Sequence, residues 1–239
     1  MTLSAATAPR FLASVRGAEE AHIALAGGAD IIDAKEPRAG ALGAVPQGVL
    51  LAIVAAVNDA RPVSATIGDC PVAQAAGRVY ATAETGVDFV KLGLFDVPSR
   101  DALAALERCA QSGVRLIAVM FADLGPDFAL IPRLAGAGFA GVMLDTAQKG
   151  RGLRAHLAKP ALVDFLARAR KYQLLAGLAG SLTQADARAL LPLRPDLIGF
   201  RGALCEGGAR GEALAPERVA AMRRLIAAEA QADLTAGAA

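Results

Sequence analysis

The chain holds 25 basic residues, yet only five are lysines: Lys35, Lys91, Lys149, Lys159 and Lys171. Two of these keep unusual company. Lys91 interrupts the apolar run Phe89-Val90-Lys91-Leu92, and Lys35 closes Ile31-Ile32-Asp33-Ala34-Lys35. Burial disfavours an ammonium and lowers a lysine's pKa, and a neighbouring cation lowers it further. A neutral amine can attack a carbonyl to form an imine, or it can remove a proton. The plainer alternative for Lys91 is neutralisation by a buried carboxylate such as Asp33 or Asp69. For Lys35 the alternative is a surface loop lysine. Asp145 follows the apolar Val142-Met143-Leu144, which places it at a strand tip, and Lys149 stands four residues later. A helix cap or ion pair would equally explain Asp145, and a solvated loop charge would explain Lys149.

A second group of residues suits phosphate. Gly180-Ser181 and Gly202, Gly207 and Gly208 lie in two late loops, with Arg201 beside the second. Glycine lets backbone N–H groups approach an anion closely. Other chemistries find little support. His22 and His156 fall in or near helical patterns, away from the polar loops, so a histidine triad or zinc site is not expected. There is no Cys-x-x-Cys, Walker loop or dinucleotide fingerprint, and no cofactor or metal is expected. Cys205, in the last loop, reads as a bystander.

What must position these residues is a series of short buried strands alternating with helices. Apolar or alternating runs predict strands at 11–15, 29–34, 63–67, 88–92, 116–121, 141–144, 174–178 and 197–200. Helical patterns fall between them at 18–26, 46–58, 73–85, 100–112, 128–137, 161–172, 184–191 and 216–228. Ser99, Ser181 and Thr183 are candidate N-caps, and Gly27, Gly86, Gly113 and Gly138 candidate C-caps. Eight strand–helix units predict a single (β/α)8 TIM barrel; an open doubly wound sheet is the alternative. In such a barrel the active site lies at the C-terminal ends of the strands. Lys35, Lys91, Asp145, Lys149 and the two glycine loops all follow strands on that rim. Asp33, Ser64 and Asp69 are read as supporting polar groups there.

The 239 residues fit one barrel domain, with a core over about 11–228 and a frayed tail at 229–239. A net charge of +2 gives no basis for nucleic-acid binding. The longest apolar run, 49–57, is too short to span a membrane. Three cysteines without paired spacing, and no apolar signal core at the start, predict a reduced cytoplasmic protein. The partners expected are small molecules; a homo-oligomer is left open.

The strand-end phrases, taken in order, resemble one family. They are Asp33-Ala34-Lys35-Glu36-Pro37 with Gly40-Ala41-Leu42-Gly43-Ala44, then Ser64-Ala65-Thr66-Ile67-Gly68-Asp69 and Val90-Lys91-Leu92-Gly93-Leu94. Met143-Leu144-Asp145-Thr146-Ala147, Leu178-Ala179-Gly180-Ser181 and Arg201-Gly202-Ala203-Leu204-Cys205-Glu206-Gly207-Gly208 follow. The family is (5-formylfuran-3-yl)methyl phosphate synthase, also known as 4-(hydroxymethyl)-2-furancarboxaldehyde-phosphate synthase, and the resemblance spans about residues 11 to 225. It serves methanofuran biosynthesis in methanogenic archaea and has relatives in bacterial methylotrophs, to which this chain is most similar in type. The resemblance implies a barrel lyase that condenses two glyceraldehyde 3-phosphate molecules into a furan aldehyde phosphate, with loss of phosphate and water. It implies that Lys35 forms the imine, that Lys91 accepts the proton, and that Asp145 and Lys149 complete the polar site. One phosphate would lie over the Gly180 and Gly202 loops; Arg38, Lys149 or Arg201 would meet the other. The chain departs from the family's expected pattern at Glu36-Pro37-Arg38 and at Met120-Phe121 before Asp123. Alternatives are a different Schiff-base aldolase, a sugar-phosphate isomerase using its lysines as acids, and a non-catalytic barrel that binds a phosphorylated ligand.

Overall fold

Eight parallel strands close on themselves in sequence order, β1 to β8, with β1 paired to both β2 and β8. The computed structural model describes residues 8–148 and 150–236. The strands are β1 Arg10–Val15, β2 Ile31–Ala34, β3 Val63–Thr66, β4 Phe89–Gly93, β5 Leu116–Phe121, β6 Gly141–Asp145, β7 Leu175–Leu178 and β8 Leu197–Phe200. The helices are α1 Ala18–Ala26, α2 Gln47–Val57, α3 Ala75–Ala83, α4 Arg100–Gln111, α5 Ile131–Gly136, α6 Leu153–His156, α7 Lys159–Lys171, α8 Gln184–Leu190 and α9 Pro216–Ala236. This is the TIM barrel that the alternation of patterns predicts.

Strand side chains alternate between two faces, and the two faces bury different cores. Val90 and Leu92 of β4, like Val142 and Leu144 of β6, pack outward in the large core under the helices. Phe89 and Met143 join a smaller core on the barrel axis with Leu12, Ile31, Ile117 and Leu197. This alternation turns Lys91 inward, because its neighbours Val90 and Leu92 are claimed by the outer core.

Several boundaries differ from the sequence expectation. Helix α7 begins two residues earlier than predicted, since Pro160 is accommodated in its first turn, where no N–H bond is lost. The 128–137 pattern divides into a 3-10 turn, Phe128–Leu130, and the short α5, which carries a proline near its start. Ser99 caps α4 by accepting from Ala102 N–H, and Thr183 caps α8 in a reciprocal box with Asp186. Ser181 is not a cap; it stands in the left-handed region at φ 48°. The sequence expectation ends the last helix at 228. Helix α9 continues to Ala236, because Ala, Glu, Gln and Leu dominate 226–236 and no glycine intervenes before Gly237. Residues 237–239 lie outside the described residues. Among the described residues, no helix is long and apolar enough to cross a membrane.

Candidate active site

The even-numbered strands build the site in two layers, as the barrel geometry requires. Period-two alternation sends Asp33 of β2, Lys91 of β4, Met143 of β6 and Gly199 of β8 to one level. Two residues further along the same strands come Lys35, Gly93, Asp145 and Arg201. Thus two lysines and two carboxylates occupy adjacent levels near the C-terminal mouth. Gly93 brings no side chain to the upper layer, and none would fit: a Cβ there would sit 2.5 Å from the Phe95 ring and 3.0 Å from Phe121. Those two rings pack with centroids 4.5 Å apart and planes tilted by 32°.

In the lower layer Lys91 Nζ lies 2.5 Å from Asp33 Oδ1. Ser64 Oγ donates to the same oxygen at 2.6 Å, and Ser14 Oγ donates to Asp33 Oδ2 at 2.8 Å. Asp33 is therefore a buried acceptor for three donors on β1, β3 and β4. Lys91 is 4% exposed. Burial pulls its pKa below the ordinary lysine value; Asp33 opposes that pull and the Lys35 cation reinforces it. A carboxylate meets Lys91, as the plainer alternative held, and the residue also lines the cavity.

In the upper layer Lys35 Nζ donates to Asp145 Oδ2 at 3.1 Å. Thr146 N–H donates to Asp145 Oδ1 at 2.7 Å, fixing the carboxylate's orientation. Lys35 is 8% exposed, so it is not a surface loop lysine. Lys149, four residues beyond Asp145, lies outside the described residues.

A cavity of about 470 Å³ opens over these pairs, within the usual range for small-molecule sites. Asp33, Lys35, Lys91 and Asp145 form part of its lining, with Gly180, Ser181, Arg201, Gly202 and Gly208 on the far side. Among the described residues, the backbone N–H groups of Gly180, Ser181, Gly202 and Ala203 meet no protein acceptor. They form a donor-rich edge suited to an anion. Gly180 is obligatory there: its φ is +105°, and a Cβ would fall 3.0 Å from Thr146 N. Gly207 turns the last loop at φ 59° and is not part of the lining.

Other expected site residues take supporting places. Ser64 is buried behind Asp33. Asp69 does not reach Lys91; its carboxylate accepts from Ala41 N–H at 2.8 Å and Leu42 N–H at 2.7 Å. It pins the loop after β2 against the mouth. Arg201 lines the cavity, but its donors are engaged inside the protein. Nη1 donates to Glu20 Oε2 at 2.5 Å and Ser14 O at 3.1 Å, and Nη2 to Glu20 Oε1 at 3.1 Å and Glu212 O at 2.6 Å. Nε donates to Arg210 O at 3.0 Å. Burial raises the Glu20 pKa, but the Arg201 hydrogen bonds and the Arg16 N–H outweigh it and leave the carboxyl below its usual value.

Some participants were not read from the sequence. Asp123, just beyond β5, accepts from Ala147 N–H at 2.8 Å and Gln148 N–H at 2.7 Å, and so shapes the loop that leads to Lys149. Burial raises its pKa less than these N–H groups lower it, so it too lies below its usual value. His156 adds to that lowering; it ends α6, in the connection after β6, and is not remote from the rim as expected. The signal available was Asp123 directly after a predicted strand.

Fold and site together define a (β/α)8 barrel whose mouth sets a lysine–carboxylate cluster against an edge of unpaired backbone donors. Residues 11–223 match the family model described as 4-HFC-P synthase. A Methylorubrum extorquens protein provisionally named (5-formylfuran-3-yl)methyl phosphate synthase is 44% identical over 228 residues, covering 94% of each chain. The (5-formylfuran-3-yl)methyl phosphate synthase of Methanopyrus kandleri is 36% identical over 220 residues, covering 84% of this chain and 92% of its own. The chain belongs to the 4-HFC-P synthase family, as the strand-end motifs led us to expect. Among solved structures, phosphoribosyl anthranilate isomerase from Thermotoga maritima superposes with a TM-score of 0.66 at 12% identity, covering 92% of this chain and 99% of that one. Thiamine phosphate pyrophosphorylase from Pyrococcus furiosus gives 0.65 at 13% identity, covering 93% and 97%. At such identities the likeness speaks for the fold alone.

Proposed function

We propose that this protein condenses two glyceraldehyde 3-phosphate molecules into (5-formylfuran-3-yl)methyl phosphate, a furan precursor for a methanofuran-type carrier. The two trioses supply all six product carbons; one phosphate and two waters leave. The observation that carries the reading is the placement of Lys35 and Lys91 in one cavity, each held by its own carboxylate.

Lys35 is the imine former. It stands nearer the mouth, where an entering carbonyl meets it first. Asp145, 3.1 Å from its Nζ, is placed to take and return the protons that carbinolamine formation and dehydration require. The imine acts as an electron sink and acidifies the adjacent carbon. Lys91 lies beneath as proton acceptor. Burial favours its neutral form, and Asp33 stabilises the ammonium it becomes on taking the proton. The resulting enamine is the carbon nucleophile toward the second aldehyde. Elimination of phosphate and two dehydrations then lead to the aromatic ring. The donors of Gly180, Ser181, Gly202 and Ala203 hold one substrate phosphate. No step draws on a redox equivalent, since the atoms of two trioses balance those of product, phosphate and water.

The test is incubation with glyceraldehyde 3-phosphate alone, following furan absorbance, product mass and released phosphate. One phosphate released per furan formed is expected. Triose consumption that yields a six-carbon sugar phosphate and no furan would make the protein an ordinary aldolase. Binding without turnover would make it a ligand-binding barrel.

A further inference from the structure

Two phosphates must be neutralised in the proposed reaction, and the backbone edge at Gly180 and Gly202 accounts for one. Of the cations first considered for the other, Lys149 lies outside the described residues, and the two arginines are poorly placed. Arg201 is engaged with Glu20 and three backbone carbonyls. Arg38 is exposed and donates to Gly211 O at 3.1 Å. Two further arginines line the cavity, Arg210 and Arg218. Arg218 lies in the first turn of α9, whose approach is tied to the Gly202–Leu204 turn by Ala215 N–H donating to Leu204 O at 2.9 Å. It therefore stands on the side of the backbone edge. Arg210 starts beside Gly202, where an added Cβ would lie 3.7 Å from its own Cβ, and its side chain runs from there to the loop after β2, where Nη2 donates to Gly40 O at 3.3 Å.

The backbone around Arg210 is held with unusual thoroughness. Three consecutive carbonyls are captured by arginines from three different segments. Arg201 takes Arg210 O at 3.0 Å and Glu212 O at 2.6 Å, and Arg16 takes Gly211 O at 2.7 Å. Arg38 shares that last carbonyl. A loop after the last strand would otherwise be among the more mobile parts of a barrel. Here it is clamped to β1, to the start of α1 and to the loop after β2. The clamp fixes the origin of the Arg210 side chain, which spends one long hydrogen bond on the protein and keeps its remaining donors for the cavity. Acidic groups face it too: Asp145, Glu36 and Asp69 all act on its charge. Asp145 is already engaged by Lys35, and Asp69 by the Ala41 and Leu42 N–H groups.

We infer that Arg210 is the second anion anchor of the cavity, receiving the phosphate of whichever triose phosphate the Gly180/Gly202 edge does not hold. This rests on the two-phosphate reading given above. Guanidinium suits the role because its planar fork meets phosphate oxygens in pairs. Burial pulls the Arg210 pKa down from its ordinary value, the cost of holding an unpaired guanidinium ready at a partly closed mouth. Burial also strengthens its attraction for an incoming dianion.

The test uses the full chain, with inorganic phosphate as probe and R210Q and R210K as variants. Calorimetric titration of the wild type is expected to resolve two phosphate sites. R210Q keeps one of them and weakens the other by about tenfold to a hundredfold, the worth of a charge-assisted hydrogen-bonding group. R210K keeps both, the second weakened by less. Circular dichroism and thermal melting check that each variant is folded; should R210Q not fold, R210K alone still weakens one site selectively. In turnover, R210Q is expected to raise the triose phosphate concentration needed for half-maximal furan formation by a similar factor. Two intact phosphate sites in folded R210Q would overturn the assignment, as would equal weakening of both sites in R210K. A wild type that binds two phosphates but makes no furan would fail the reaction reading alone and leave Arg210 in place.

Discussion

Replacing Asp33 by asparagine removes the counter-charge from a lysine that is 4% exposed. Removing one partner of a buried ion pair destabilises by about 3–5 kcal/mol, because the remaining charge is left without compensation. For a chain of this length that corresponds to a fall in melting temperature of about 6–20 °C. The double substitution D33N/K91M removes both charges, and Ser14 and Ser64 can turn to the new amide. Its cost should be below the sum of the single substitutions by about 1–3 kcal/mol, a coupling expected of residues in direct contact. The pH dependence has a definite sign. Burial sets the folded value of Lys91 below its unfolded 10.5, so the unfolded chain binds more protons between the two values. The penalty for the buried ammonium is full below the folded value and fades as pH rises toward the unfolded one. The D33N substitution lowers the folded value further, so the stability gap between that variant and wild type should narrow as pH rises toward the unfolded value of 10.5. Urea denaturation of the four proteins at several pH values measures all of this. Additive single costs, or a D33N protein within about 0.5 kcal/mol of wild type, would refute the coupling.

K35A and K91A should each abolish furan formation in a protein that still melts cooperatively; near-wild-type turnover in either would remove that lysine from the mechanism. Gly180→Ala should cost about 1–3 kcal/mol of stability, because alanine is strained at φ +105° and its methyl would press on Thr146. It should also raise the KM for triose phosphate, and an unchanged KM would detach the backbone edge from substrate binding. Glu20 has a depressed folded pKa, so its contribution is present above the ordinary value of 4.5 and is lost as pH falls through the folded value. E20Q should therefore be less stable than wild type at neutral pH, with the gap closing in acid. A gap independent of pH, measured by urea midpoints, would show that the Glu20 charge does not hold the last loop.

Much of the barrel and its charged floor was legible in the chain because strand alternation is a local property. A lysine between Val90 and Leu92 must oppose both, and with those two buried under the helices it could only face the axis. The same reasoning places Asp145 after Leu144. What was not legible depends on contacts far apart in sequence. Arg201 looks like a phosphate ligand until Glu20, on the first turn of α1, is seen to take it. Arg210 carries no local signal, since only the arginine-held carbonyls around it show that its side chain is aimed. Asp69 sits in the right phrase to partner Lys91, but the loop at Gly40 folds onto it first; a Cβ on Gly40 would lie 2.2 Å from its Oδ2.

The central claim is that Lys35 carries the covalent intermediate while Lys91 moves the proton. Borohydride reduction of the enzyme with glyceraldehyde 3-phosphate, followed by peptide mass mapping, tests it most directly. The expected result is a reduced triose-derived adduct on Lys35, absent from K35A and still formed at Lys35, more slowly, in K91A. An adduct on Lys91 with Lys35 unmodified would invert the roles, and no adduct on either lysine would contradict the imine mechanism altogether.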